Sequence, residues 1–322
     1  MAIYLVTGGA GFIGSSIAEK LLASGETVRI IDDFSTGRRR NLEKLEGQIQ
    51  IVEASVCDPV AVGKVMRGVD VVFHQAAIPS VARSIENPAA SMMANVQGTT
   101  VVLEAARAAN VRRVVYAASS SAYGNTATLP KIETMPAAPL SPYAVSKFAG
   151  EQLVRVYAAL HGMETVSLRY FNVFGPKQDP KSQYAAVIPN FITAALTGRR
   201  PVVHGDGEQT RDFCFIENVV AANLLAASGP NPLRGETVNI ACGDRTSLND
   251  VLRLIGKETG TKLEPQYQPT RAGDVRDSLA DIRAAKELLG YEPKVRLHEG
   301  LRRTIEVYRS FTSSERGTAR VA

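Results

Sequence analysis

The sequence predicts an α/β protein: a Rossmann-type, doubly wound parallel sheet followed by a smaller α/β substrate-binding domain. Three observations predict it. Short β-branched runs alternate with longer helical patterns through the first half of the 322 residues, the rhythm of a parallel sheet covered on both faces by helices. The first run leads directly into a glycine-rich loop, TGGAGFIGSS at 7–16. After TVSLRYFNVFGP at 165–176, proline and glycine become more frequent and the rhythm loosens.

Taken in order, the predicted strands are IYLV at 3–6, TVRII at 27–31, IQIV at 49–52, DVVFH at 70–74 and RVVYA at 113–117. Each is rich in the β-branched and aromatic residues that suit a buried pleated surface. Helical patterns lie between them, at Ile13 to Ala23, Pro59 to Arg67 and Ser91 to Ala109. A further helix starts after Ser141, a good N-cap, with Pro142 at its first position. These elements assign residues 1–170 to a dinucleotide domain and 171–310 to the second domain, from which some segments may return to the first. The small, polar stretch FTSSERGTARVA at 311–322 reads as a flexible tail.

Composition narrows the function. With 45% hydrophobic residues the chain can bury a core. No apolar run reaches the roughly 18 residues of a membrane span, and no basic region precedes the first apolar segment, so the expected location is the cytoplasm, with no membrane partner. Three cysteines and four histidines stand without ligand or pairing spacing, which argues against a disulfide framework and against any metal. The net charge of +5 comes from basic residues spread along the chain, and Arg38, Arg39 and Arg40 are an isolated run. That distribution suits an anionic small molecule and predicts no nucleic-acid partner.

The glycine loop satisfies two templates, Gly9, Gly11 and Gly14 as G-x-G-x-x-G and Gly8, Gly11 and Gly14 as G-x-x-G-x-x-G. Placed between a strand and a helix, such glycines let the backbone approach a pyrophosphate at the helix N-terminus. Asp32 follows Gly14 by 18 residues, at the tip of the next predicted strand, where a carboxylate accepts ribose hydroxyls and repels a 2′-phosphate. The arginine run could favour that phosphate, but Asp32 and Asp33 come first, so the expected cofactor is NAD.

Tyr143 and Lys147 are four residues apart in LSPYAVSKFAGEQL and share a helical face. The ammonium and the helix N-terminus are both expected to favour phenolate, lowering the tyrosine pKa from about 10. The serine run YAASSSAYG lies at the tip of the strand at 113–117.

With these residues in place the chain resembles the extended short-chain dehydrogenase/reductases, and among them the UDP-sugar 4-epimerases. The resemblance rests on TGGAGFIG (7–14), HQAA (74–77), NVQGT (95–99), SSSAYG (119–124), SPYAVSK (141–147), RYFNVFGP (169–176), GDGEQTRDF (205–213) and RAGDVRDSLAD (271–281). It implies that Tyr143 takes the proton from the sugar O4 while C4 gives hydride to NAD, that Ser119 bonds the same oxygen, and that Lys147 supports both. The 4-keto sugar then turns and is reduced on its other face.

The resemblance further implies NAD contacts at Gly8, Gly11, Phe12, Ile13, Gly14, Asp32, Asp33, Ser35, Thr36, Gly37, Ser55, Val56, Gln75, Ala76, Ala77, Asn95 and Tyr170, besides Tyr143 and Lys147. It implies UDP-sugar contacts at Ser80, Arg83, Ser120, Ser121, Asn172, Ala186, Val187, Val203, Arg211, Arg271, Asp274 and Ser278. Two positions depart from the family pattern: Ser55 stands where many relatives place Asp, and Pro79 where glucose-type enzymes have Lys.

Relatives that dehydrate or decarboxylate the keto sugar carry acids just after the first serine, where this chain has Ser120 and Ser121. The resemblance therefore implies an epimerase. Ser278 replaces the tyrosine of glucose-restricted enzymes, leaving room for an N-acetyl group, so UDP-N-acetylglucosamine or its uronic acid is the favoured substrate and UDP-glucose a possible one. The alternatives are a UDP-glucuronate 4-epimerase or another NAD-dependent nucleotide-sugar enzyme, and, from another class, a dinucleotide sensor without catalysis. The resemblance also implies a homodimer, through helices following residues 84 and 142; the second carries Ala144, Val145, Phe148, Ala149, Leu153 and Val156.

Overall fold

The computed structural model describes residues 2–179, 186–270 and 275–318, the last eight by backbone alone. Seven parallel strands form the central sheet: β1 (Ile3–Thr7), β2 (Thr27–Asp32), β3 (Gln50–Glu53), β4 (Val71–His74), β5 (Arg113–Ser119), β6 (Glu164–Tyr170) and, from the second half of the chain, Arg234–Ile240. Three further pairs are short: β7 (Val173–Phe174) with β10 (Cys214–Phe215), β8 (Val202–His204) with β13 (Gln266–Gln268), and β9 (Thr210–Arg211) with β12 (Thr246–Ser247). The strand Arg234–Ile240, β11, pairs with β6, so the second half does return to the first domain's sheet. The order is β11-β6-β5-β4-β1-β2-β3. Strand order reverses between β1 and β4, and a crevice for a ligand opens beyond their carboxyl ends.

Alternate residues of each strand enter opposite cores. Val6, Ile30, Phe73, Val115 and Leu168 pack under α1 (Phe12–Ala23). Leu5, Ile31, Val72, Val114 and Tyr116 pack under α2 (Pro59–Val65) and other helices of the second face. Both sides of the sheet are therefore apolar, as a parallel sheet between two helical layers requires.

The helix expected over Ser91 to Ala109 is present and contains a π turn. After α3 (Val81–Glu86) come α4 (Pro88–Met92), one π-helical turn over Met93–Gln97, and α5 (Gly98–Ala108). The wide turn carries Asn95, whose side chain turns inward to Ser146 and to the backbone of Ile78. A local π turn of this kind re-aims a side chain that regular helix would misplace. Helix α6 (Pro142–His161) starts as the sequence predicts: the Ser141 side chain accepts from Ala144 N–H at 3.2 Å, and Pro142 follows it.

The second half is less fragmented than its proline and glycine content suggests. It contains α7 (Val187–Thr197), α8 (Ile216–Ser228), α9 (Leu248–Thr259), α10 (Arg283–Leu289) and α11 (Leu297–Thr318). Helix α8 packs on the α1 side of the sheet, and α11 continues into the stretch read as a tail. No helix among the described residues is long and apolar enough to cross a membrane.

Candidate active site

The glycine loop joins β1 to α1 at the point where strand order reverses. Gly8 has φ +66°, and a Cβ there would lie 2.7 Å from the Ala76 backbone after β4. A Cβ at Gly14 would lie 2.3 Å from the Gly8 carbonyl oxygen. Gly11 is the N-cap of α1, with no side-chain cap over the first-turn N–H groups. Those groups and the helix dipole make an anion site open to a diphosphate.

Asp32 closes the next side. Its carboxylate accepts Ala10 N–H and Phe34 N–H, both at 2.8 Å. Burial raises its pKa against those two hydrogen bonds. A Cβ at Gly37 would come within 2.7 Å of this carboxylate, so Gly37 supports Asp32 from behind rather than lining the cleft. The arginine run is already engaged: Arg38 and Arg40 pair with Asp179, and Arg39 with Glu53. The Asp32 carboxylate lines the cleft at the tip of β2, where it suits ribose hydroxyls and repels a 2′-phosphate, which favours NAD. The glycine cradle, the uncapped helix and the buried acid together fit that cofactor.

One cleft of about 730 Å³ brings together most of the expected residues. Gly8, Gly11, Phe12, Ile13, Gly14, Asp32, Asp33, Ser35, Thr36, Ser55 and Val56 line one end. Gln75, Ala76, Ala77, Tyr143, Lys147 and Tyr170 line the middle, with Ser119, Ser120 and Ser121 beside them. Asn172, Ala186, Arg211 and Ser278 reach it from the second half. Ser80, Val187 and Val203 instead line an adjoining cavity of about 360 Å³, which shares Asn172, Ala186 and Arg211 with the main cleft. Arg83 lines neither cavity: it lies on α3, where its N–H donates to the Ser80 side chain. Arg271 and Asp274 lie outside the described residues.

Asn95 also departs from expectation. It is 1% exposed and stands behind the cleft wall. Its Oδ1 accepts Ile78 N–H at 2.8 Å, and its Nδ2 donates to Ser146 Oγ at 2.8 Å; Ser146 in turn donates to the Tyr143 carbonyl. Asn95 thus ties the loop after β4 to the first turn of α6 and positions the Tyr143 backbone.

The phenol and ammonium differ electrostatically from the expectation. Burial raises the Tyr143 pKa, opposed by hydrogen bonding to Ser119. Burial lowers Lys147 to about 7, and its Nζ sits 4.6 Å from the Tyr116 ring centroid. Within the protein alone, desolvation outweighs the Ser119 hydrogen bond, so the tyrosine is raised where lowering was expected. Ser119 Oγ accepts from Ser121 N–H at 3.2 Å and from Ser121 Oγ at 2.8 Å, which fixes it at the tip of β5.

Three sets of hydrogen bonds escaped sequence reasoning, one of them around Gln75 and Tyr170, which were themselves expected in the cleft. His74, 1% exposed, bonds Thr7 Oγ1 at 2.7 Å and Thr99 Oγ1 at 2.9 Å, linking β1, β4 and α5. Burial, with Lys147 adding, lowers its pKa to about 3. An unfolded histidine titrates near 6.5, so this group's stabilisation is full above pH 6.5 and is lost as pH falls toward 3. The urea stability of wild type over His74→Gln is expected to shrink steadily from pH 7 to pH 5; a constant difference would show that His74 does not titrate on unfolding. Tyr170 Oη donates to Asn223 Oδ1 at 3.0 Å and accepts from Gln75 Nε2 at 3.1 Å, bracing the middle of the cleft from α8. Asp212, fully buried, accepts N–H groups from Cys242, Gly243 and Ala280. A single acid in TRDF offers no spacing that marks such a role.

Comparison with known proteins agrees with this geometry. Residues 4–241 match the NAD dependent epimerase/dehydratase family. The chain is 40% identical over 310 residues to a UDP-glucose 4-epimerase of Mycolicibacterium smegmatis, covering 95% of this chain and 98% of that protein. A UDP-N-acetylglucosamine 4-epimerase of Methanobrevibacter ruminantium, solved with UDP-N-acetylmuramic acid, superposes with TM-score 0.92 at 35% identity, covering 96% and 99% of the two chains. A UDP-glucuronic acid 4-epimerase of Bacillus cereus, solved with UDP-glucuronic acid and NAD, gives TM-score 0.90 at 31% identity, with coverage of 96% and 99%. The chain is therefore an enzyme of the NAD dependent epimerase/dehydratase family, an extended short-chain dehydrogenase/reductase with NAD as its cofactor.

Proposed function

We propose that this enzyme is a UDP-sugar 4-epimerase, interconverting gluco and galacto forms through a transient 4-keto sugar. The observation that carries the reading is the serine pair after Ser119. Ser120 and Ser121 line the cleft where a dehydratase or decarboxylase needs a carboxylate, and Ser121 donates its hydroxyl to Ser119. The described acids that line the cleft, Asp32, Asp33 and Asp179, are held elsewhere: Asp32 and Asp33 at the tip of β2, and Asp179 against the Arg38–Arg40 run. With the described carboxylates of the cleft engaged elsewhere, reduction is the open course of the keto sugar.

NAD, when bound, supplies the hydride acceptor and a positively charged ring that favours phenolate. Tyr143 then takes the O4 proton in one direction and returns it in the other, while Ser119 hydrogen-bonds the same oxygen. Lys147, drawn to about 7 by burial, shares the helical face of Tyr143 and in its protonated form favours phenolate. Arg211, on the shared wall of both cavities, suits the diphosphate. Arg271 and Asp274 are assigned to phosphate and uridine ribose by the sequence resemblance.

We infer N-acetylhexosamine substrates, or their uronic acids, from Ser278. Its small side chain lines the cleft, with Oγ accepting from Asn172 Nδ2 at 3.1 Å. Purified enzyme offered UDP-GlcNAc, UDP-Glc, UDP-GlcA and UDP-GlcNAcA separately is expected to form 4-epimers by NMR, favouring the acetylated sugars. Ser278→Tyr is expected to lower kcat/KM for the acetylated substrates about tenfold or more relative to UDP-Glc, since added bulk excludes what the pocket otherwise admits. Equal losses on both would refute the assignment.

We infer a homodimer as well. Val145, Val156 and Leu160 of α6 are 43%, 45% and 72% exposed, beside Ile85 of α3 at 54% and Met93 at 62%. An apolar patch across neighbouring helices is the surface of an interface. Sedimentation is expected to give a dimer for wild type and a monomer for Leu160→Asp; a monomeric wild type would refute it.

A further inference from the structure

One buried cation of the cleft, Lys131, takes no part in the epimerase chemistry. Lys131 ends the loop leaving the serine run, and its backbone is fixed on both sides: N–H donates to the Leu279 carbonyl at 2.7 Å, and its carbonyl accepts from Asp281 N–H at 2.9 Å and Asn239 Nδ2 at 3.0 Å. This places it beside the segment that carries Ser278. The residue is 1% exposed, yet it lines the same cleft as Ser119, Ser120, Ser121 and Ser278.

Its ammonium has few partners. It donates to the carbonyl and the hydroxyl of Thr126, and among the described residues no carboxylate stands within 4 Å. Asp277, whose charge it does feel, spends Oδ1 on Thr210 N–H at 3.0 Å and Thr210 Oγ1 at 2.6 Å. Burial draws the lysine below its ordinary pKa. An ammonium taken out of water without a counter-charge costs several kcal/mol, which an aliphatic residue in the same space would avoid. A cation kept there with one N–H unspent is complementary to an anion entering the cleft.

Position decides which anion. Arg211, which lines both cavities, is the residue assigned to the diphosphate. The serine run belongs to the hexose end, where C4 faces Tyr143, and the sugar substituent nearest C4 that can carry charge is a carboxylate on C6. We propose that Lys131 is the carboxylate subsite of this cleft, so that the preferred substrate is a nucleotide-linked hexuronic acid rather than a neutral hexose. This rests on the 4-epimerase reading and names its substrate class.

The test compares kcat/KM for UDP-GlcNAcA with UDP-GlcNAc, and for UDP-GlcA with UDP-Glc, using full-length enzyme loaded with NAD. Wild type is expected to favour the uronic acid about tenfold or more in each pair, the value of one charge-assisted hydrogen bond. Lys131→Met is expected to lower that ratio by a similar factor, and Lys131→Arg to keep most of it. A wild type with no preference for the acids overturns the proposal even if Lys131→Met does not fold, and so does a ratio unchanged in folded Lys131→Met. If NAD-loaded wild type epimerises none of the four sugars, the 4-epimerase reading itself fails, a result distinct from epimerisation without preference.

Discussion

Tyr143→Phe is expected to lower kcat about a thousandfold while leaving NAD content and nucleotide-sugar binding nearly unchanged. The substitution removes one oxygen. It leaves the backbone of the first turn of α6 where Ser141 caps it and where Ser146 bonds the Tyr143 carbonyl. The ring stays in the cleft wall. What is lost is the one phenol at this end that hydrogen bonding to Ser119 partly restrains from the full effect of burial. Ser119 alone cannot replace it, because a serine hydroxyl is far too weakly acidic to hold the O4 proton as an anion at neutral pH. Binding and chemistry should therefore separate: the Michaelis constant moves little and kcat collapses, the mark of an interaction made only in the transition state. Single-turnover measurement of NADH appearance at 340 nm provides the check. A loss below tenfold would remove Tyr143 from the proton path.

Much of the first domain was legible because its signals are local. A strand such as Arg113–Ser119 carries Val114, Val115 and Tyr116, β-branched and aromatic residues that are buried in the sheet, and the helix after Ser141 is announced by its cap. The glycine loop was equally legible, since contact of Gly8 with Ala76 and of Gly14 with Gly8 leaves no room for a side chain at those positions. What local signals could not give was the return of Arg234–Ile240 to the far edge of the sheet beside β6. That pairing joins residues about 70 apart, and β-branched character alone does not say which sheet a strand joins.

The site shows the same division. The loop glycines, Asp32 and the Tyr143–Lys147 pair were found by spacing, and the other residues of the cofactor region by the family resemblance. The electrostatics were not, because spacing records which charges are near and says nothing of how much water surrounds them. Lys147 is buried and Tyr143 half-buried, and desolvation moves the tyrosine up rather than in the expected direction. Asn95 was assigned to the cofactor, and in the structure a π turn aims its side chain at Ser146 and Ile78. Asp212 was missed entirely, because its three partners, Cys242, Gly243 and Ala280, are backbone groups far away in sequence.

Asp212→Ala is expected to destabilise the fold by about 3 to 5 kcal/mol and to raise KM for nucleotide sugars. Two effects compete. The carboxylate is fully buried, and burial raises its pKa to about 6 from an ordinary 3.8. Keeping it ionised at neutral pH therefore costs about 3 kcal/mol, which alanine would relieve. Against this, alanine leaves three buried N–H groups, held at 2.9, 3.0 and 3.2 Å, without an acceptor. Each orphan costs about 1 to 3 kcal/mol, and more where the lost acceptor was charged, so the loss wins. The sign with pH follows from the raised value: the native state binds the proton more readily than the unfolded state, so this group's contribution is full below about pH 4 and declines as pH rises through about 6. The urea stability gap between wild type and variant should therefore be wider at pH 5 than at pH 8. The effect on KM follows from the backbone of the same residue, whose carbonyl accepts Asn172 Nδ2 at 2.9 Å and whose N–H reaches Ser278 Oγ at 3.4 Å. Loosening Asp212 frees both of those side chains on the substrate side while leaving the glycine cradle untouched. NAD content should be retained in the folded variant. A variant as stable as wild type, or a gap that widens toward pH 8, would mean that the three N–H groups find other acceptors.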